Sequence, residues 1–136
     1  MRRILTIVLT LLAATPSRAD VFSFETPSGN IECSVGLGEG PSDIICEIVQ
    51  TSAPPPRPRP ADCSASWGHR YSMRARGPVT MDCAPEPRDL VISEKAPYGQ
   101  TGSWDGITCL SDTSGLQCMN LDGHGFFLSR RSIWVK

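Results

Sequence analysis

The feature that most restricts the fold is the placement of six cysteines, at 33, 46, 63, 83, 109 and 118, in a chain whose first residues read as an export leader. Met1-Arg2-Arg3 is a cationic start, residues 4–14 are an apolar run, and Ser17-Arg18-Ala19 puts small residues at the −3 and −1 positions before Asp20. As a helix the run spans about 16 Å, against about 30 Å of bilayer hydrocarbon. The expectation is a signal peptide over 1–19, no membrane span, and one exported β-domain over 20–136. No cysteine precedes Cys33, so a lipid anchor at the cleavage region is not expected either.

Export puts the cysteines in an oxidising space, where an even number predicts bridges. Strand parity narrows the pairings. A strand over 30–35 turns Ile31, Cys33 and Val35 to one face, and a strand over 43–49 does the same for Ile44, Cys46 and Ile48. Gly36 and Gly40-Pro41 lie between them as turn formers, so the two strands fold back as a hairpin and Cys33 pairs with Cys46. The same reasoning joins Cys109 to Cys118 across Ser111-Asp-Thr-Ser-Gly115, and Cys63 with Cys83 remains. Three such local bridges, at about 2–4 kcal/mol each, rival the net stability of a typical domain, about 5–15 kcal/mol. The competing use of thiols, as metal ligands or redox catalysts, lacks a C-x-x-C pair.

Between the cysteines, short alternating runs punctuated by Gly, Pro, Asp and Ser predict strands over 21–25, 30–35, 43–49, 71–75, 79–83, 89–93, 106–110, 115–120, 124–129 and 132–135. No stretch carries a useful helical period. The fold class is therefore all-β, a disulfide-stapled sandwich or small barrel built of successive hairpins. Thr26-Pro-Ser-Gly29 marks one turn, and Asn120-Leu-Asp-Gly123 another, ending in a glycine suited to the left-handed position of a three-residue hairpin loop.

Charge argues against one class of partner. Without Arg2, Arg3 and Arg18, the 13 Lys and Arg fall to 10 against 14 Asp and Glu, a formal −4. Nucleic-acid binding is not expected, because the phosphate contribution needs an excess of cations. Residues 57–76 nevertheless carry five arginines, at 57, 59, 70, 74 and 76, which either grip an anionic polymer or meet the acidic blocks on either side. The low-complexity segment 53–60, with five prolines, favours polyproline II, and reads as a stiff surface loop, with a docking peptide or spacer as the functional alternative.

Few residues suggest chemistry. His124 has Asp122 beside it and Ser129 and Arg130 downstream, the residue types of a hydrolase. On a strand, however, His124 and Ser129 face opposite ways, and no G-x-S-x-G elbow is present. Zinc would have only His69 and His124 to bind if every thiol is bridged, and the Asp-Gly pairs at 105–106 and 122–123 lack a calcium ladder, so neither a metal nor a cofactor is expected. Trp67, Tyr98, Trp104 and Trp134 are either core rings or a ligand platform.

The string Phe24-x-Thr-Pro-Ser-Gly-Asn-Ile-x-Cys33, Cys63-x-x-x-Trp-Gly68, Tyr98-Gly99, Gly106-x-x-Cys-x-Ser111, Gly115-Leu-x-Cys-x-Asn120 and Gly123-His-Gly-Phe-x-Leu-Ser-Arg130 covers nearly all of 20–136. It resembles a family of small exported bacterial proteins known as domain of unknown function 6636. The proline–arginine segment departs from the family pattern between Cys46 and Cys63. The resemblance implies an exported, disulfide-bearing domain and transfers no catalytic residues. The functional expectation is a non-enzymatic binding module of the cell envelope, with an envelope protein or small ligand as partner, using His124, Arg130, Trp67, Tyr98 and Trp104. A small hydrolase based on His124 and a structural envelope component are the alternatives.

Overall fold

The structure, a computed structural model, describes residues 20–38, 40–87 and 94–136. The leader over 1–19 and the strand expected over 89–93 lie outside the described residues.

The chain forms β1 (Asp20–Glu25), β2 (Ile31–Leu37), β3 (Asp43–Ile48), β4 (Ser66–Arg74), β5 (Thr80–Ala84), β6 (Thr101–Trp104), β7 (Ile107–Asp112), β8 (Gly115–Met119), β9 (Gly125–Leu128) and β10 (Ile133–Val135). Two five-stranded sheets result, in the orders β1-β2-β3-β4-β5 and β10-β9-β8-β7-β6. Every neighbour within a sheet is also the next strand in sequence, and all named pairs are antiparallel. Both sheets are meanders, and they stack as a sandwich rather than closing as a barrel.

Two elements differ from the sequence expectation. β4 begins at Ser66 rather than 71, because a register shift between Ser66 and Arg70 and a left-handed Gly68 (φ 91°) break the alternation over its first half. β6 was not expected, since Thr101-Gly-Ser-Trp104 lacks a clear apolar alternation. Its hairpin with β7 turns on Asp105-Gly106, whose φ values of 43° and 99° are both positive and which separate the paired residues Trp104 and Ile107. Two central residues of positive φ define the type I′ hairpin turn that Asp-Gly favours.

The disulfides join Cys33 to Cys46, Cys63 to Cys83 and Cys109 to Cys118, with Cα–Cα distances of 4.1, 5.7 and 4.1 Å. Cys33 lies directly opposite Cys46, and Cys109 directly opposite Cys118, as the parity argument required. Each pair sits in an inward-facing row that crosses its whole sheet. The first row runs Phe24, Cys33, Cys46, Tyr71, Met81, and the second Gly102, Cys109, Cys118, Phe126, Val135. Tyr71 meets Phe126 at 6.0 Å between centroids, and Phe24 stacks on Trp104 at 5.5 Å and 11°. Thus β4 faces β9 and β1 faces β6. Gly102 occupies in the second row the place that Phe24 holds in the first, and a Cβ there would lie 2.7 Å from the Trp104 ring. The missing side chain makes room for the indole that stacks on Phe24.

One end of the sandwich is closed by Asn120, which is buried. Its Nδ2 donates to the carbonyls of Arg74 and Gly77 at 3.0 and 2.8 Å, and its Oδ1 accepts from the amides of Asp122 and His124 at 3.0 and 3.1 Å. The Asn120-Leu-Asp-Gly123 loop has the expected form, with Gly123 at φ 77°.

The proline segment is fastened down by side-chain hydrogen bonds. The Arg57 guanidinium donates to the Val79 carbonyl at 2.9 Å, Trp67 Nε1 donates to the Arg57 carbonyl at 3.0 Å, and Arg59 reaches the carbonyls of Cys63 and Ala65 at 2.9 and 2.6 Å. Arg70 pairs with Glu47, and Arg76 with Asp122 at 2.8 Å. Four of the five clustered arginines are therefore engaged within the molecule.

Candidate functional site

The end of the sandwich opposite Asn120 carries a polar cleft of about 500 Å³. It lies among the β1–β2 turn, the Tyr98 segment, the β7–β8 turn and the β9–β10 turn. Each wall is positioned by hydrogen bonds to a neighbour. Thr26-Pro-Ser-Gly29 folds as a turn with Gly29 at φ 71°, its amide donating to the Thr26 carbonyl at 2.8 Å. The next residue, Asn30, is buried, and it locks Gln50 at both ends: Nδ2 donates to the Gln50 carbonyl and the Gln50 amide donates to Oδ1, each at 2.9 Å. Gln50 in turn accepts the Arg130 guanidinium at 2.8 Å. The Arg130 carbonyl receives the Ser52 amide at 2.8 Å, so the link between β3 and β4 is stitched to the β9–β10 turn.

Tyr98 is held on the other side. Gly99 donates its amide to the Ser111 carbonyl at 2.7 Å, and the buried Ser111 hydroxyl donates to Ala96 at 2.9 Å, so the segment is clamped to the end of β7. Tyr98 itself is 47 % exposed. Beyond it, Asp112 accepts from the Thr113 amide and the Ser114 hydroxyl, each at 2.8 Å. The Ser114 hydroxyl first, then the Thr113 amide, holds this carboxyl below its usual range. Asp112 thus stays ionised with both oxygens turned into its own loop. Arg131, by contrast, is exposed and has no ion pair or hydrogen bond among the described residues.

The residues singled out from sequence are distributed over the molecule. Tyr98 and Arg130 come together at this cleft. Trp104 lines a separate cavity of about 200 Å³, with Phe22 and Phe24, between the edges β1 and β6. Trp67 is half-buried under the proline segment, and Trp134 stacks on Phe127 at 6.0 Å. His124 precedes β9 while Arg130 follows it, so they sit at opposite ends of that strand. Its ring approaches the Lys136 carbonyl at 3.3 Å. Ser129 lies at the Arg130 end, about 16 Å of extended chain from His124. The Ser129 hydroxyl donates to the Ser132 carbonyl at 2.8 Å within its turn. His69 Nδ1–H donates to the Ile48 carbonyl at 2.7 Å.

Sequence reading missed Arg131, Asp112, Thr113, Ser28 and Asn30 as members of one site. The signal was present but incomplete. Both the 26–29 and the 111–115 turns were recognised, but bringing turns of two sheets around one cleft depends on how the sheets stack, which no local pattern carries.

Fold and site together define a disulfide-stapled β-sandwich of two five-stranded meanders with a cation-bearing polar cleft at one end. The chain belongs to the family of unknown function DUF6636, whose model matches residues 3–135. Comparison with curated proteins and with solved structures returns no match.

Proposed function

We propose that this chain is an exported, non-catalytic binding module of the cell envelope, and that its ligand occupies the cleft between Tyr98 and the Arg130-Arg131 turn. The observation that carries this reading is the pre-organisation of the cleft. Four chain segments are tied together through Asn30, Gln50, Arg130 and Ser111, yet they leave an aromatic ring and a cation directed to solvent. A site whose walls are held by internal bonds loses little entropy when a ligand enters. Export is supported by three bridges, which persist in oxidising compartments. The hydrolase alternative draws no support from the separation of His124 and Ser129 along β9.

The test is native mass spectrometry of protein recovered from its own compartment, comparing wild type with Thr113→Trp, which fills the cleft. A co-purified ligand lost from the variant supports the reading. A ligand retained by the variant, or an esterase or peptidase activity abolished by His124→Ala, overturns it.

A further inference from the structure

We infer that the ligand of this cleft is an acidic saccharide, a sugar ring bearing a carboxylate, held by Arg131 and by stacking on Tyr98; the inference rests on the binding reading above.

Charge comes first. The ion pairs among the described residues are Glu25 with Lys95, Glu47 with Arg70, and Asp122 with Arg76. None of them involves Arg130 or Arg131. Asp112, the acid that lines the cleft, is turned into its own loop through both oxygens and pairs with neither guanidinium, so its one negative charge leaves the two arginines with a net positive charge. Arg130 is oriented by Gln50, whereas Arg131 keeps its full planar fork available for bidentate contact with a carboxylate. The site selects an anion within a chain that is otherwise acidic.

The remaining lining selects what the anion is attached to. Ile31 is the only aliphatic side chain among the described lining residues, and it is buried. The carbon surface that makes up the larger part of the cleft therefore comes from the Tyr98 ring and the stems of polar side chains, which suits the C–H faces of a sugar. Hydroxyl side chains dominate among these, from Ser28, Thr113, Ser114 and Ser129. Each hydroxyl offers one donor and two acceptor positions, so those already bonded within turns retain capacity for a polyhydroxylated partner. The ring of Tyr98, a half-exposed residue without a ring neighbour among the described residues, supplies a flat apolar face beside them. A sugar presents this combination: C–H faces for the ring and hydroxyls for the rim. An acidic peptide is the competing occupant, since arginine clusters also capture acidic motifs; the hydroxyl side chains around a single flat ring favour the sugar. The cleft is walled by turns. Its volume of about 500 Å³ lies within the range of about 300–1,000 Å³ usual for small-ligand sites.

The experiment is an amide chemical-shift titration of the oxidised protein with three probes: tetragalacturonate, the neutral maltotetraose and tetraglutamate. Tetragalacturonate is expected to shift the amides of Ser28, Thr113 and Arg131 and to bind at least about tenfold more weakly to Arg131→Ala, as loss of a charge-assisted bond predicts. Tyr98→Leu should weaken it too, and Arg131→Lys should restore part of the affinity. Equal binding of maltotetraose, or preference for tetraglutamate, at the same amides overturns the acidic-saccharide assignment and leaves the binding module standing. Silence at the cleft toward all three probes also overturns the assignment. If a co-purified ligand then maps elsewhere, the binding reading at this cleft falls as well.

Discussion

Asn120 is the side chain on which the closed end depends, because four backbone groups from two sheets find their partners on one amide. Replacing it by alanine strands buried donors and acceptors, each of which costs about 1–3 kcal/mol when unsatisfied. Partial access to water reduces the total, and Asn120→Ala is expected to lower stability by about 2–3 kcal/mol. A urea titration should show the midpoint falling with an unchanged slope. Tyr71 governs a different condition. It is fully buried at the sheet interface and donates its hydroxyl to the Gly68 carbonyl at 3.0 Å. Burial pushes its phenol from 10.0 up to about 12, since the phenolate would lose its hydration. A folded-state value above the unfolded one favours the neutral form. That contribution is complete below about pH 10 and disappears as pH rises through the folded value. Wild type should therefore lose stability between pH 10 and about 12, and Tyr71→Phe should lose less over that interval. Tyrosinate absorbance in folded Tyr98→Phe protein, rising already near pH 10, would contradict the assignment.

At the scale of elements, the bridges differ in setting. Cys33–Cys46 and Cys109–Cys118 are cross-strand clips inside the core, no member being more than 3 % exposed, whereas Cys83 of the third bridge lies at the surface. Removing the β7–β8 clip with Cys109→Ala and Cys118→Ala should cost about 3 kcal/mol by loop-closure entropy, with added loss from the emptied core. Thermal melts of the double variant check this, and an unchanged melting temperature would show the clip to be dispensable. The hairpins were legible from sequence because both the staple and the parity are local: Ile31, Cys33 and Val35 can all face inward only in one register, and Cys46 then has one place to lie. The Asp105-Gly106 hairpin was not read from the sequence, where the pair was weighed only against a calcium loop. Its first strand escaped notice because Gly102 and Trp104 divide between them the space that a single apolar residue usually fills, which removes the alternating signal. The early half of β4 was hidden for a related reason, Gly68 breaking the period.

At the scale of the molecule, both sheets follow one plan: a five-strand meander, a disulfide between its second and third strands, and an aromatic side chain beside that disulfide on the fourth. The Tyr71–Phe126 contact joins the two rows where these aromatics meet. This repetition accounts for the two dissimilar ends. A meander alternates its turns, so each end receives turns from both sheets: one set knots around Asn120, and the other stands apart around the cleft. The cleft was only partly readable beforehand. Tyr98 and Arg130 drew attention by residue type, but their meeting depends on how one sheet lies over the other, which is set by non-local packing of Phe24 on Trp104 and Tyr71 on Phe126. The central claim is that hairpin-local bridges organise both sheets and thereby hold the cleft in shape. Mass-spectrometric peptide mapping of unreduced protein, digested under acidic conditions that prevent exchange, tests it most directly. The account predicts Cys33–Cys46, Cys63–Cys83 and Cys109–Cys118 as the linked pairs. A peptide joining Cys33 or Cys46 to Cys109 or Cys118 would contradict it.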